Sequence, residues 1–325
     1  MHHALPRRAA LALPFLAPPP GRASAQAWPS RPVRIVVPYT PGGTTDIATR
    51  MVAEPLSRAL GQPVVVENRP GSNSIVGVGS VATSPADGHS LVMVIGAHAA
   101  NATLYTGRLP FDPVASFAPV SHVVTAPLVL AGGARQPYRD FRDFVAFARQ
   151  RPGAVNYGSS GIGAAAHLTM EDIGRRLGLD LVHVPYRGTQ PALQDLMGGQ
   201  LGVMFDTWST LKPQFDAGTV RPLGIASLER PGFAPAVPTL AEQGLPGFAS
   251  STWCMILAPA GTPAAIVDRL SGEIARAVRE PALAARFDQL GFVVEGSTPD
   301  RAAEFLRGEV ARWGEVIRAA NVRAE

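Results

Sequence analysis

Cysteine is almost absent from this chain of 325 residues. The single cysteine, Cys254, excludes an intrachain disulfide bond, and its place in the apolar run Trp253–Ala258 indicates a core residue. Runs of lysine and arginine are missing, as is any stripe of basic and aromatic residues, so binding to nucleic acid is not expected. The motif His-Glu-x-x-His does not occur, and we expect no metal site.

Residues 1–25 have the pattern of a secretory signal peptide. Arg7 and Arg8 precede the short apolar run Ala9–Ala17, and cleavage is expected near Ala25 or Ala27. The apolar run is too short to span a bilayer. Removal of this segment leaves 26 basic and 25 acidic residues, so the mature chain has little net charge. We therefore expect an exported protein.

Strand-like and helix-like runs alternate from Val33 to the C-terminus, which predicts an α/β fold with mostly parallel sheets flanked by helices. The break at Ala126-Pro127 and the proline- and glycine-rich stretch Leu228–Gly247 are interpreted as crossings between two lobes. Lobe 1 is predicted to contain residues 26–126 and 252–325, and lobe 2 residues 127–251. Pro55 is expected to kink the first helix or to end it early.

Two glycine-bearing turns, each between a strand-like and a helix-like run, are the main functional signal. The first turn is Pro41–Asp46 and the second turn is Gly158–Gly163. A helix start presents unpaired N–H groups and partial positive charge, so each turn is a candidate anion site. Their separation in sequence suggests two lobes that close on one anion. The alternative is two ordinary strand-to-helix turns, and Asp46 argues mildly against an anion site.

The second turn matches two enzyme motifs only loosely. Gly161–Ala166 opens a helix after a strand, as a dinucleotide-binding fingerprint does, but the next strand, Leu181–Val184, ends without the required acidic residue. Gly158–Gly161 lacks the spacing of a nucleophile elbow. A dinucleotide cofactor is therefore not expected.

Four further side chains have open interpretations. His98 follows a strand-like run, where α/β proteins bind ligands, and is a candidate to line a cleft. Asp206 either accepts a hydrogen bond from a ligand or caps the following helix. Trp208 either forms the wall of a pocket or packs in the core. His167 precedes Glu171 by four residues, which suits a simple side-chain pair on one helix face.

Several short motifs occur in a specific order over nearly the whole mature chain. The motifs are Trp28-Pro29, Arg34–Pro38, Pro41-Gly42-Gly43 with Asp46, Gly61–Gly71, Asp87-Gly88, Gly158–His167 with Leu168, His183–Gly188, Met204-Phe205-Asp206, Pro238–Glu242 and Ala258–Pro263. With these motifs in this order, the chain resembles the periplasmic solute receptors of tripartite tricarboxylate transporters, the Bug family.

The resemblance implies a two-lobed periplasmic-binding-protein fold (Venus flytrap, type II) that catalyses no reaction. Such a receptor binds a small mono-, di- or aromatic carboxylate between the turns and delivers it to two membrane subunits. We expect a periplasmic monomer without a cofactor. The motifs and the resemblance together predict these ligand-binding residues: Tyr39, Gly42, Gly43, Thr44, Asp46, His98, Ser159, Ser160, Gly161, Gly163, Ala164, His167, Arg187, Asp206 and Trp208.

The chain departs from the family pattern where the distal part of a ligand is expected. Ser72-Asn73-Ser74 replaces alanine and glycines, and Thr207-Trp208-Ser209 replaces Asn-Leu-Pro. These differences suggest a ligand with a flat apolar or aromatic body against Trp208. Arg187 is the nearest candidate cation, with a surface ion pair as its alternative role. The alternative functions are an exported α/β hydrolase and an extracytoplasmic sensor of a carboxylate.

Overall fold

Strands and helices alternate along residues 28–324, which with residues 1–2 are the part of the chain that the computed structural model describes. The predicted signal-peptide features lie outside the described residues. The strands are β1 (Val33–Val37), β2 (Val64–Asn68), β3 (Ser90–Val94), β4 (Phe117–Gly133), β5 (Val155–Ser159), β6 (Leu181–Pro185), β7 (Val203–Thr207), β8 (Val220–Ile225), β9 (Ser251–Pro259) and β10 (Val293–Val294). The helices are α1 (Thr44–Leu60), α2 (Ile75–Ala82), α3 (Gly96–Leu104), α4 (Phe141–Gln150), α5 (Ala165–Leu177), α6 (Thr189–Gly198), α7 (Trp208–Asp216), α8 (Ala264–Val278), α9 (Pro281–Gln289) and α10 (Pro299–Ala319).

β4 joins two sheets. The first sheet has the strand order β2-β1-β3-β9-β4, with β10 also paired to β4. In the second sheet β4 pairs with β8 and β7, and the order continues to β5 and β6. Residues 117–127 of β4 pair with β9, whereas residues 128–132 pair with β7. The strand therefore changes partner between Pro127 and Leu128.

Both sheets are mixed, whereas the sequence predicted mostly parallel sheets. β2 and β3 are parallel to β1, and β6 and β7 are parallel to β5. β4 and β9 are antiparallel to each other and to their other neighbours, because they cross between the sheets in opposite directions. The predicted α/β class with two lobes is confirmed.

β4 is continuous over 17 residues, although two runs broken at Ala126-Pro127 were predicted. Pro127 has no N–H to donate. The next residue, Leu128, donates its N–H to the carbonyl oxygen of Ser250 at 3.1 Å. This bond continues the backbone pairing beyond the proline, so the strand is not interrupted.

α1 runs through Pro55 to Leu60, so of the two effects predicted for Pro55, a kink or an early end, the early end does not occur. A proline inside a helix costs about 3 kcal/mol or more, because it removes a backbone hydrogen bond and its ring clashes with the preceding turn. Ala48, Val52 and Leu56 of α1 are fully buried in the core of the first sheet. This tertiary packing offsets the local cost.

Each sheet carries two apolar clusters. Cys254 lies in one cluster of the first sheet, buried and free, which confirms its predicted core position. Burial raises the pKa of the Cys254 thiol to about 12, so this sulfur is unreactive at neutral pH. Among the described residues, no helix combines the length and the apolar character that crossing a bilayer requires.

Candidate functional site

Segments that follow strand ends of the two sheets meet at one interface. Thr44, after β1, and Thr207, at the end of β7, share a hydroxyl hydrogen bond of 3.1 Å. Asn73 Nδ2 donates to the carbonyl oxygen of Ile162 in the second turn at 3.2 Å. β5, which precedes the second turn, is the parallel neighbour of β7. The structure thus places both turns at carboxyl ends of strands that face each other, a usual ligand position in α/β proteins.

Asp46 occupies part of the first turn itself. Its Oδ2 accepts from the N–H of Gly42 at 3.0 Å and from Arg50 Nε at 2.9 Å, and its Oδ1 accepts from Asn68 Nδ2 at 2.9 Å. Burial would raise the pKa of Asp46, but these hydrogen bonds, with that of Arg50 the strongest, hold it below its usual range. Asp46 and the N–H of Gly42 were predicted to serve the ligand, but they bind each other because the carboxylate folds back over the turn.

Gly43 and Thr44 remain open at the start of α1. Gly43 is the N-cap residue with ordinary extended backbone, φ −84° and ψ 171°, and no side chain of the described residues caps it. A Cβ on Gly43 would have only the carbonyl oxygen of Thr40 as a neighbour, at 4.0 Å. The fold does not require glycine here, so the space beside Gly43 is available to a ligand.

Ser159 and Ser160 of the second turn have different surroundings. Ser159 is buried, with its Oγ 2.7 Å from His183 Nε2 and 3.0 Å from the carbonyl oxygen of Gly161. The N–H of Gly161 donates to the same Oγ at 3.3 Å. Ser160 is exposed, and its carbonyl oxygen accepts from the N–H of Gly188 at 3.1 Å. The polar groups of Ser159 and Gly161 are therefore engaged inside the turn, whereas the side chain of Ser160 is open.

His167 supports the start of α5 from within. Its Nδ1 accepts from the N–H of Gly163 at 3.0 Å, and its Nε2 lies 3.7 Å from Glu171 Oε1, which confirms the predicted pair. The side chain is only 4% exposed. Because both ring nitrogens face protein groups, the predicted ligand contact of His167 does not fit the structure. Ala164, the N-cap residue of α5, has no side-chain cap among the described residues.

Asp206 lies at the end of β7 and does not cap α7. Its Oδ2 accepts from Thr189 Oγ1 at 2.8 Å, and its Oδ1 accepts from the N–H of Thr207 at 2.7 Å. Thr207 is itself the N-cap residue of α7. Burial raises the pKa of Asp206, and the hydrogen bonds from Thr207 and Thr189 oppose that shift only in part. A carboxyl group at this interface is available to a ligand hydroxyl or amine.

Thr207 Oγ1 is the centre of a hydroxyl cluster that sequence analysis missed. It lies 3.1 Å from the hydroxyl of Thr44, 3.0 Å from that of Ser209 and 3.2 Å from that of Thr210. Hydroxyl residues are common at helix starts, so no sequence pattern marks this cluster. A hydroxyl group both donates and accepts, and the cluster therefore suits a polar ligand group.

Trp208 packs in an apolar cluster of the second sheet, as one of its two predicted roles requires. The side chain is 8% exposed, and its ring lies 5.6 Å from each of the rings of Phe215 and Phe233. A Cβ on Gly291 would approach Trp208 Cβ to 2.5 Å, so the residue also touches the chain near β10. Its Nε1 is buried without a partner among the described residues. An aromatic ligand face against this ring does not fit.

His98, a candidate to line a cleft, is buried in the structure. The side chain is 1% exposed, its Nε2 lies 2.8 Å from the carbonyl oxygen of Pro113, and its ring packs on Phe111 and Phe117. Burial lowers the pKa of His98 to about 4, so it is neutral. α3 starts directly after β3, and its first turn directs this side chain into the core.

Tyr39 and Arg187 flank the two turns. The carbonyl oxygen of Tyr39 accepts from Asn68 Nδ2 at 3.1 Å, while its Oη is buried without a partner among the described residues. Burial raises the pKa of Tyr39, so its hydroxyl stays protonated. Arg187 is exposed and makes no ion pair within residues 28–324, so its alternative role in a surface pair is absent there.

Ser72-Asn73-Ser74 is a further part of the interface that no motif identified as a contact. All three residues have left-handed backbone, with φ of 45°, 50° and 75°. This conformation costs about 1–2 kcal/mol for each residue other than glycine, although asparagine tolerates it better. Asn73 Nδ2 also donates to Asn101 Oδ1 at 2.8 Å, which fixes the side chain for its bond to Ile162.

Known proteins agree with this architecture. A sequence profile for the tripartite tricarboxylate transporter family receptor (TctC) matches residues 48–322. The chain is 38% identical over 292 residues to a UPF0065 protein in the tcbD-tcbE intergenic region of Pseudomonas sp. (strain P51), covering 90% of this chain and 87% of that protein. It is 31% identical to the periplasmic binding protein BugD, with a TM-score of 0.83 and coverage of 92% and 100%.

Two similar structures contain carboxylates. Rpa4515 of R. palustris with adipate is 33% identical, with a TM-score of 0.86 and coverage of 91% of this chain and 99% of that one. MatC (Rpa3494) from Rhodopseudomonas palustris with bound malate is 33% identical, with a TM-score of 0.81 and coverage of 89% and 100%. The profile spans most of the chain and describes a transporter receptor. This chain therefore belongs to the TctC family of tripartite tricarboxylate transporter receptors, together with the Bug proteins.

Proposed function

We propose that this chain is a periplasmic receptor that binds a small carboxylate between two lobes and delivers it to two membrane subunits of a transporter. The observation that carries the proposal is that, in a receptor-family chain, each turn is bonded across the interface: Thr44 of the first turn to Thr207, and Ile162 of the second turn to Asn73. Adipate in Rpa4515 and malate in MatC support the carboxylate class.

The lobes that we propose are residues 26–126 with 252–325 and residues 127–251. β4 changes its partner between Pro127 and Leu128, and β9 begins at Ser251, which supports both boundaries. A ligand that contacts both lobes favours the closed state, because only that state makes both sets of contacts. We further propose export with cleavage near Ala25 or Ala27, a monomer, and no catalytic activity.

The carboxylate is held by helix starts rather than by a cation. Neither turn contains lysine or arginine. Gly42 and Gly161 donate their N–H groups to side chains of their own turns, so the N–H groups of Gly43, Thr44 and Ser160 are the proposed donors. The helix dipoles of α1 and α5 add partial positive charge. Arg187 contributes attraction from the exposed side of the second turn.

A polar second group on the ligand fits the site better than an aromatic body. Ser209, Thr210 and Thr207 supply hydroxyl groups, and Asp206 accepts from a ligand hydroxyl. The ring of Trp208, by contrast, is covered by Phe215 and Phe233. The proposed ligand class is therefore dicarboxylates and hydroxycarboxylates, which replaces the aromatic ligand suggested by the sequence.

The proposed function predicts a simple ranking in calorimetric titrations of the mature protein. Malate and adipate, as probes of a hydroxydicarboxylate and a longer dicarboxylate, are expected to bind more tightly than benzoate. A p-nitrophenyl ester is expected to remain intact in the presence of the protein. Tighter binding of benzoate contradicts the proposed ligand class, and binding of no carboxylate or turnover of the ester contradicts the function.

Asp206→Asn is expected to raise the unfolding temperature of the ligand-free protein by a few degrees at pH 7. A carboxyl group whose pKa is higher in the folded than in the unfolded state lowers the free energy of unfolding as the pH rises from the unfolded-state pKa to the folded-state pKa. The folded protein is therefore destabilised at a pH above both values. Asparagine keeps an acceptor for the N–H of Thr207 without the charge. The gain should vanish near pH 3, where the carboxyl group is protonated in both states.

The matched control for this change is Asp216→Asn. Asp216 lies on α7 but is exposed, where Lys212 contacts both of its carboxylate oxygens. Its loss is expected to leave the unfolding temperature unchanged or slightly lower at pH 7. An equal rise in the unfolding temperature of both variants, measured by differential scanning calorimetry, contradicts a destabilising effect specific to the buried charge of Asp206.

A further inference from the structure

Two stacked imidazoles lie against the second turn. The rings of His167, on α5, and His183, on β6, are 3.7 Å apart and 8° from parallel. The ring of Tyr157, on β5, lies beside the pair, 4.9 Å from His183 and 6.3 Å from His167. Three aromatic side chains from three elements therefore meet behind the turn.

Each imidazole is bonded to one end of the second turn. His183 Nε2 lies 2.7 Å from Ser159 Oγ, which in turn bonds both the N–H and the carbonyl oxygen of Gly161. His167 Nδ1 accepts from the N–H of Gly163 at 3.0 Å. The pair thus fixes the backbone on both sides of the segment that carries the proposed carboxylate donors.

The bond from Gly163 restricts the charge state of His167. A backbone N–H only donates, so Nδ1 must be unprotonated, and the single proton of the neutral ring is on Nε2. This nitrogen lies 3.7 Å from Glu171 Oε1. A second proton on the ring would place an N–H on Nδ1 and break the bond to Gly163.

The charges that face the pair come from few groups. Tyr157 Oη donates to Glu171 Oε1, and the pKa of Glu171 is lowered because hydrogen bonds from His167 and Tyr157 outweigh its burial. Burial and the neighbouring His167 lower the pKa of His183 to about 3. His183 therefore remains neutral over the range in which an ordinary histidine titrates.

Charged groups on the other packed elements are bonded elsewhere. Asp206 of β7 accepts from Thr189, and Glu309 of α10 accepts from the indoles of Trp253 and Trp313. On the outer face of α5, Arg175 and Arg176 pair with Asp172. Glu171 is thus the charged group that the described residues place beside His167.

We infer that His167 and His183 are positioning residues for the carboxylate site, and that ligand affinity requires the neutral form of His167. The inference rests on the proposed function, since the second turn is the part of the site that they fix. Protonation of His167 at Nδ1 removes the acceptor for the N–H of Gly163, so the turn relaxes and affinity decreases.

Binding of malate and adipate from pH 5 to pH 8 tests the effect on affinity. His167→Leu removes the acceptor and is expected to weaken binding about tenfold at pH 8, the size of one lost hydrogen bond. His167→Asn keeps an acceptor near the position of Nδ1 but does not titrate, so it is expected to bind at pH 8 nearly as wild type and to lose the pH dependence. His89→Asn, at the amino end of β3, is the control that keeps the wild-type profile.

A measurement without ligand separates this inference from the proposed function. In nuclear magnetic resonance spectra, the amide of Gly163 in wild type is expected to shift with the same midpoint as the His167 ring, and not to shift in His167→Asn. A Gly163 amide whose chemical shift does not follow the protonation of the His167 ring overturns the positioning role. If the amide and the ring shift with the same midpoint but binding does not depend on pH, the effect on affinity is overturned. A matching amide with no binding of malate or adipate supports the positioning role and counts against the ligand class proposed above.

Discussion

Gly43→Val is expected to weaken carboxylate binding at least about 100-fold while the unfolding temperature stays close to that of wild type. The backbone of Gly43 is already in an extended conformation that valine favours, and a Cβ there meets only Thr40 O at 4.0 Å. The added methyl groups instead fill the space in front of the N–H groups of Gly43 and Thr44. Loss of two hydrogen bonds to a charged group, at roughly 1.5–3 kcal/mol each, gives this magnitude.

Calorimetric titration with malate and adipate, together with thermal unfolding, measures both parts of the expectation. Gly232→Val is the matched control, because Gly232 lies in a loop of the proposed second lobe and a Cβ there meets nothing within 4 Å. It is expected to change neither quantity. Binding of Gly43→Val at wild-type strength would show that the ligand lies away from the first turn.

Gly163→Ala is expected to weaken binding by roughly 10- to 100-fold because it holds the lobes apart. A Cβ on Gly163 would overlap Leu104 Cδ1, which belongs to α3 in the proposed first lobe. Gly163 also has a φ of 77°, and alanine in this conformation costs about 1–2 kcal/mol of stability. In small-angle scattering with saturating malate or adipate, the variant should not reach the radius of gyration of the wild-type complex.

The second change Leu104→Ala separates the two effects of Gly163→Ala. Removing the leucine end opens space for the new methyl group, so the double variant should regain most of the lost affinity. It should not regain stability, since the left-handed backbone remains strained and a buried leucine is lost at about 2 kcal/mol or more. Affinity that stays low in the double variant would assign the effect to backbone strain rather than to blocked closure.

Most of the strands could be predicted because their signal is local. The strand-like runs that precede the two glycine-bearing turns are β1 and β5. α2 and α3 are harder to predict, since their small residues and glycines give weak helical periodicity. α7 contains Pro213, and its nine residues hold together through buried contacts of Trp208 and Leu211 rather than through propensity.

From the sequence, the site could be predicted only at the level of its two backbone turns. A strand, glycines and a helix start are adjacent in sequence, so both turns were found. The hydrogen bonds of Asp46 were not predicted, because their donors lie elsewhere in the chain: Asn68 on β2 and Arg50 on the second turn of α1. The bond from Asn73 to Ile162 joins positions that only the tertiary fold brings together. Which N–H groups remain for a ligand depends on these partners.

The two chain crossings between the sheets are bonded to each other. Pro127 of β4 pairs with Ser251 of β9, and the N–H of Leu128 donates to Ser250 O. Mechanically this is a two-stranded ribbon rather than a pair of independent linkers. Such a ribbon bends and twists, but it resists sliding along its length, since sliding breaks its hydrogen bonds together. Opening of the lobes should therefore bend or twist this ribbon as one unit, and the two crossings should not slide past each other.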